Sequence, residues 1–523
     1  MYSIFDYEII KNKTMEYYGE FPENWETGII NSSEKPLVLF SYDVDSIKNY
    51  IFSSNEFKAI MGASYIVKEF DSFISKESKV KGYHVVNCIG GTGLFLISKN
   101  EVSQLKELIE SSFKKIVIGG TLTTSWCDFW PFELINGLET KGNDSVVNEL
   151  DKLFDFKFND TGKNKYGFSS VFSKLASKMR DEKNSKLKEF KTVTSDLEIC
   201  ESCLTYPASE KVYLHDEKKY FCSYCKEKYD KGKEILKLGI KDEKNTEFSD
   251  DFMHITKKEI YDEENWMAVI YIDGNSLGKI YSNINTEKDY VEISKKIEEA
   301  TVGSVAETVR KYELSRKFAA PILGGDDILL FVPCDIAVNF FIDLSETLKN
   351  NYKEIGISFC GSLLFVKNSL PLKMIFEASE KLLKSAKKAY YNGKKNECYV
   401  ASRVLYENTS EPVEKIKVGM FEEILGEGET LSDFIFFTDM ISKISKEEKN
   451  LIRKYSAFTE EVYEIAELNF NYYYSKEKEK FINIDEKTLK NKILFKDHSS
   501  TNIYKFFDIY RFIREGENNE NNN

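Results

Sequence analysis

Gly324-Gly325-Asp326-Asp327 lies between two short apolar runs, 319–323 and 328–332, and Asp273 ends a third, 268–272. Neighbouring strands lie about 5 Å apart, so an acid ending one strand and two at the tip of an adjacent hairpin can converge on one point. Converging carboxylates suit divalent ions. Transfer between nucleotides needs such ions to neutralise the triphosphate and activate the attacking hydroxyl, while the protein does little covalent chemistry. Gly324 and Gly325 tolerate positive φ in a tight turn and leave room for a triphosphate. An ordinary polar hairpin uses the same residue types. Three further features favour catalysis: apolar strands on both sides, the strand-terminal Asp273, and a downstream helix on which Lys384, Lys387 and Lys388 share a face. Lys387 is the candidate phosphate contact, and Lys384 reads as solvated surface.

Cys200-Glu201-Ser202-Cys203 and Cys222-Ser223-Tyr224-Cys225 are two CxxC knuckles separated by 18 residues. Four thiolates at this spacing close a tetrahedral Zn²⁺ site, with residues 213–220 as its hairpin. Such a site has no open position for catalysis, so its role is to fold the domain that carries it. Redox chemistry would need only one CxxC. The other five cysteines end or interrupt apolar runs and read as buried residues.

One pattern occurs twice and supplies the elements that position these residues. The later copy runs from 268–272 through Asp273-Gly274-Asn275-Ser276 and a helical stretch to the Gly-Gly-Asp-Asp hairpin. The earlier runs from 37–40 through Asp43-Val44-Asp45-Ser46 and a helical stretch to Gly90-Gly91-Thr92-Gly93 and the run 94–97. Asp43 to Gly90 is 47 positions and Asp273 to Gly324 is 51. Each copy reads strand, helix, hairpin, helix, strand, the ferredoxin-like order with helices on one face of an antiparallel sheet. The earlier copy has Thr92 and Gly93 in place of the hairpin acids and should not hold the same metal pair. Asp43 and Asp45 keep its strand end acidic, although Asp45 can equally cap the helix that starts near Ser46.

The fold class is therefore α+β: two ferredoxin-like palm domains in a pseudo-symmetric pair, a zinc-binding helical insertion and a helical C-terminal domain. The expected boundaries are an N-terminal extension over 1–35, a degenerate palm over 36–131, the zinc-binding linker over 132–259, the catalytic palm over 260–402, and a helical domain over 403–523 ending in a disordered tail. With 42% hydrophobic and 14% aromatic residues the chain can build several cores. An excess of 86 acidic over 73 basic residues, net charge −13, repels a phosphate backbone, so nucleic acid must be met through a local patch or through partner subunits. No signal peptide and no run of about 20 apolar residues is present; the chain reads as cytoplasmic.

The order of these features resembles the large subunit of type III CRISPR effector complexes, especially its Cmr branch. The echoes are Ser46-Ile47-Lys48-Asn49-Tyr50-Ile51-Phe52 and Gly62-Ala63-Ser64 in the first palm, Ile272-Asp273-Gly274-Asn275-Ser276-Leu277-Gly278 and Gly324-Gly325-Asp326-Asp327 in the second, and residues 378–387 in the last helix. The resemblance implies a nucleotidyltransferase that makes a second messenger from ATP when partner subunits carrying a guide RNA bind target RNA. Most members join ATP into cyclic oligoadenylates, and some join ATP to S-adenosylmethionine. It implies Mg²⁺ or Mn²⁺ on Asp273, Asp326 and Asp327, and nucleotide contacts from Gly324, Gly325, Gly274, Asn275, Ser276, Lys387, Gly90, Gly91 and Ser64. The acceptor would lie near Asp43 and Asp45, whose charge suits the ammonium of S-adenosylmethionine better than a metal-free triphosphate. Many members begin with an HD nuclease domain; about 35 residues precede the first palm here, so that domain and DNA cleavage are not expected. The competing readings are a GGDEF-like cyclase acting on GTP, disfavoured by the duplicated palm and zinc insertion, and an inactive assembly scaffold, disfavoured by the intact acids.

Overall fold

The computed structural model describes residues 37–129, 168–186, 198–214, 217–236, 246–249, 252–259, 262–284, 286–393, 397–405, 429–456 and 463–490. They divide into two units. The first comprises residues up to Ser53, Lys58–Gly232 and Ser276–Glu298; the second comprises Ser54–Phe57, Lys233–Asn275 and the chain from Glu299. The N-terminal extension, the segment 421–425 read as helical and the acidic tail lie outside the described residues.

In the first unit the order is β1 (Leu37–Val44), α1 (Ile47–Ile51), α2 (Phe57–Val80), β2 (His84–Ile89), β3 (Thr92–Ser98), α3 (Val102–Ile116) and β4 (Leu122–Phe129). The antiparallel sheet has the order β2-β3-β1-β4, the ferredoxin-like arrangement expected. Tyr42 on one face of β1 packs against Phe70 of α2, which meets Phe113 of α3. Leu37 and Leu39 on the other face join Phe168, Val171 and Leu175 of α4 (Phe168–Ser185), with Ile284 and Tyr290. Helices therefore cover both faces rather than one. That explains why β1 reads as an unbroken apolar run instead of alternating.

The cysteine region follows as a hairpin, β5 (Glu210–Leu214) and β6 (Glu217–Phe221), and α5 (Ser223–Ile235). Its helix crosses α2 at two glycines. A Cβ on Gly62 would lie 1.8 Å from the Lys228 carbonyl oxygen, and one on Gly232 would lie 1.8 Å from that of Lys58. Backbone meets backbone at both points, so only glycine fits either position.

The second unit contains β7 (Lys257–Glu259) and β8 (Asp262–Gly274). After α6 (Leu277–Ser282), α7 (Glu287–Lys311) leads into β9 (Ala319–Gly324), β10 (Asp327–Pro333), α8 (Ala337–Lys353), β11 (Phe359–Lys367), α9 (Leu372–Asn392), β12 (Tyr399–Leu405) and β13 (Glu429–Thr430). Sheet order is β13-β12-β11-β8-β10-β9, with β7 also on β8. The stretch β9-β10-β8-β11 repeats the ferredoxin-like pattern, and β12 extends it parallel to β11. Gly361 of β11 faces Phe341 of α8, while its neighbour Ser362 faces Ser379 of α9, so these two helices cover opposite faces of the sheet. Trp266 through Ile272 are wholly buried as a result. Among the described residues, α10 (Leu431–Lys443), α11 (Lys446–Ser456), α12 (Tyr463–Glu477) and the short α13 (Glu486–Thr488) follow.

Candidate active site

β8 is the strand between β10 and β11, and its apolar run ends at Asp273, the residue that first meets solvent. Ile328 pairs with Ile272, and one step further along this register puts Asp327 across from Asp273. Asp326 lies at the turn between β9 and β10, where Gly325 has φ +59. Gly274 has a second reason to be glycine: a Cβ there would come within 2.8 Å of Asp326 Cβ and 2.9 Å of its Oδ2. The Asp326 side chain lies over the end of β8 because nothing projects from residue 274.

Asp326 feels both of its acidic neighbours. Burial, then Asp327 and Asp273, push Asp326 up to about 7, and Lys387 only partly opposes them. A third negative charge is unfavourable there until a cation is present. Lys387 of α9 donates to Asp273 Oδ1 at 2.6 Å, so it neutralises an acid at the site. Lys384 pairs with Glu380 on the exposed side of α9, the solvated role expected of it. Asn275 is tied to the start of β11, with N–H to the Ser358 carbonyl at 2.8 Å and Nδ2 to Ser358 Oγ at 3.2 Å. Ser276 is exposed with φ 64. Three hard oxygen donors, one of them held from ionising first by burial and then by its neighbours, fit Mg²⁺ or Mn²⁺.

The first palm presents a different strand end. Lys183 of α4 lies 2.7 Å from Asp43 Oδ1 and 3.9 Å from Asp45 Oδ1, and Lys186 lies 2.8 Å from Asp45 Oδ2. Burial raises Asp43 against the pull of Lys183. For Asp45, burial is outweighed by Lys186 and Thr123, and its carboxyl is held low. Asp45 accepts from Thr123 Oγ1 at 2.6 Å; Ser46, in the left-handed region, occupies the cap position of α1. The capping role considered for Asp45 is therefore not the one it takes. Lys183 and Lys186 pair with the two acids here, whereas Lys387 pairs with Asp273 in the second palm.

The degenerate hairpin is also explained by packing. Tyr42 pairs with Gly93, and a Cβ on Gly93 would lie 2.1 Å from the Tyr42 ring. Gly91 has φ +75, a Cβ there would strike Ile47, and its N–H donates to buried Asp71 at 2.7 Å. Tyr42 Oη donates to the same carboxylate at 2.8 Å. Asp71, which the sequence reading missed, is raised to about 7 by burial. Gly90 has φ +66 with open space around it, and Ser64 is buried on α2.

Cys200, Cys203, Cys222 and Cys225 bring their sulfurs within 4.8 Å of one another, a tighter ligand group than the three carboxylates form. Cys203 and Cys222 sulfurs are 3.9 Å apart. A tetrahedron with Zn–S of about 2.3 Å has sulfurs about 3.8 Å apart, so the thiols fit zinc. Buried Lys228 faces this cluster from α5. Its Nζ donates to the Tyr50 carbonyl at 2.8 Å and Ser53 Oγ at 2.9 Å, and lies 3.5 Å from the centre of the Tyr50 ring. Burial pushes it down to about 8 and the cysteines hold it up. The chain's His215-Asp216 doublet falls between β5 and β6, outside the described residues.

The sheet order, the acids at the end of β8 and the tip of β9–β10, and α9 across the sheet define a polymerase-type palm. Residues 266–399 match the Cas10/Cmr2 second palm domain. Most of the chain is similar in fold to solved structures of Csm1 and of the Csm1–Csm4 cassette. A Csm1–Csm4 cassette in complex with pppApA matches with a TM-score of 0.55 at 14% identity, covering 96% of this chain and 72% of that one. The cassette in complex with cA4 gives 0.53 at 12% identity, covering 92% and 70%. Csm1 of T. onnurineus gives 0.53 at 13% identity, covering 92% and 70%. At 12–14% identity these likenesses are of fold. No curated protein matches it by sequence. No helix among the described residues is long and apolar enough to cross a membrane.

Proposed function

We propose that the chain is the nucleotidyltransferase subunit of a type III CRISPR effector and makes a nucleotide second messenger from ATP. One observation carries this reading: in a palm fold, the register puts Asp327 across from Asp273 at the end of β8, and the Asp326 side chain lies against Gly274 beside them. Solved relatives of similar fold are complexes with pppApA, cA3, cA4 and AMPPNP, in keeping with oligoadenylate synthesis.

Asp273, Asp326 and Asp327 would hold Mg²⁺ or Mn²⁺, which when bound supplies charge neutralisation at the triphosphate and activation of the acceptor hydroxyl. Gly324, Gly325 and Gly274 leave the hairpin backbone open to the donor. Lys387 holds Asp273 in place and offers its remaining N–H groups to phosphate. The acceptor 3′-hydroxyl gives up its proton to water as its oxygen bonds to the α-phosphorus of the donor, the bond from that phosphorus to the α–β bridging oxygen breaks, and pyrophosphate leaves. Guide and target RNA would be held by other subunits, as the −13 charge requires.

Cyclic oligoadenylate is the product we favour over a conjugate with S-adenosylmethionine. The argument for S-adenosylmethionine was that Asp43 and Asp45 would attract an ammonium and repel a triphosphate. Lys183 and Lys186 already supply those ammonium groups, so the strand end is balanced and the repulsion is gone. Mass spectrometry of products made by the assembled, target-RNA-bound complex from ATP, with and without S-adenosylmethionine, tests this. Oligoadenylates in both mixtures are expected. A conjugate of the two substrates would overturn the acceptor assignment, and no nucleotide product would favour the scaffold.

A further inference from the structure

Thr301 on α7 and Tyr352 on α8 are completely buried polar side chains beneath the β9–β10 turn. Thr301 Oγ1 donates to the Gly325 carbonyl at 2.6 Å and lies 2.7 Å from Tyr352 Oη. A threonine hydroxyl has one proton. With that proton on Gly325, Thr301 can only accept from Tyr352, so the chain runs in one direction, from Tyr352 O–H through Thr301 O–H to the Gly325 carbonyl. Hydrogen bonds in series strengthen one another in a dry interior. The two helices are tied one turn away as well: Asn351 Nδ2 of α8 donates to Ser304 Oγ of α7 at 2.9 Å, and Ser304 donates to the Ala300 carbonyl at 2.6 Å.

Gly325 immediately precedes Asp326 and sits in the left-handed region. Its carbonyl fixes the peptide plane that leads into Asp326, and thereby the direction in which both hairpin carboxylates leave the turn. Without the relay, a glycine-rich tip carrying two like charges would rotate them apart.

We propose that Thr301 and Tyr352 are positioning residues for the divalent-cation site, locking the turn so that Asp326 and Asp327 meet Asp273. The proposal rests on the metal-dependent reading above. Neither residue touches substrate or the reacting atoms, so the readout is metal affinity rather than activity. Mn²⁺ binding to the full chain is followed by the electron paramagnetic resonance of free Mn²⁺, alongside thermal unfolding. The proteins are wild type, Thr301→Val, Thr301→Ser, Tyr352→Phe and the double variant Asp326→Ala, Asp327→Ala. Thr301→Val keeps the shape and loses the hydroxyl, and Tyr352→Phe removes one oxygen. Both are expected to weaken Mn²⁺ binding about 10- to 100-fold, the range for residues that orient metal ligands. Thr301→Ser, which keeps the hydroxyl, should bind as wild type. Wild-type affinity in Thr301→Val and Tyr352→Phe, with binding lost in the double aspartate variant, overturns the relay. Undiminished binding in the double aspartate variant overturns the metal-site reading instead. If Thr301→Val fails to fold, Tyr352→Phe carries the same expectation.

Discussion

Replacing Asp326 by Asn should make the metal-free protein more stable at pH 8 while removing its ability to take divalent ions. Asp326 is raised from an ordinary 3.8 to about 7, first by burial and then by Asp327 and Asp273. A raised carboxyl destabilises the folded state above its unfolded value: the penalty is absent below pH 4, grows between pH 4 and 7, and is complete above 7. Three pKa units correspond to about 4 kcal/mol at most, and partial exposure of Asp326 with adjustment of the hairpin reduces this to about 1–3 kcal/mol. Asparagine has a similar shape and no charge, so the variant avoids the penalty. The assay is unfolding of wild type and Asp326→Asn in buffer without added divalent cations at pH 8 and pH 5. The variant should be the more stable at pH 8, with the gap falling to about a third at pH 5. Asp71 titrates in the same range but is common to both proteins and cancels in the difference. Added Mn²⁺ should stabilise wild type alone. A variant less stable than wild type at pH 8, or a gap independent of pH, would refute the electrostatic account of the site.

Three other perturbations test the frame around it. Elemental analysis should find one zinc per chain, and Cys203→Ser with Cys222→Ser should lose it together with on the order of 10 kcal/mol of folding free energy in the knuckle, seen as early unfolding of that region. Gly62→Ala should cost about 3 kcal/mol or more in urea unfolding, because its Cβ would lie 1.8 Å from a carbonyl oxygen and the helices must part; a cost under 1 kcal/mol would contradict the backbone crossing. Lys183→Met with Lys186→Met should add a Mn²⁺ site to the chain, detected as higher binding stoichiometry, because Asp43 and Asp45 are left without cations.

The elements that chemistry depends on are legible where residues act locally. The apolar run ending in Asp273, the two glycines before Asp326 and the paired CxxC knuckles each carry their geometry in a few consecutive residues, and the strand, helix, hairpin, helix, strand order gave both sheets. What acts across distance was not legible. Lys186 reaches Asp45 from 141 positions away, and just past a charged helix it reads as solvated surface. Residues 168–185 were assigned to the zinc linker, yet their apolar face of Phe168, Val171 and Leu175 closes the first sheet. Asp71 did leave a trace: it shares the helical face of Val67, Phe70 and Ile74, where a charge must find partners, and Tyr42 and Gly91 are those partners. Gly62 stands in the sequence as part of a family echo; its lack of a side chain is already required by the crossing with α5.

The central claim is that one palm holds the catalytic cations and the other does not. Anomalous scattering from crystals of the chain grown with Mn²⁺ and a non-hydrolysable ATP analogue tests it most directly. The account predicts manganese among Asp273, Asp326 and Asp327 and none beside Asp43 and Asp45. Manganese at the first palm's strand end, or nucleotide bound with no metal among those three aspartates, would contradict it.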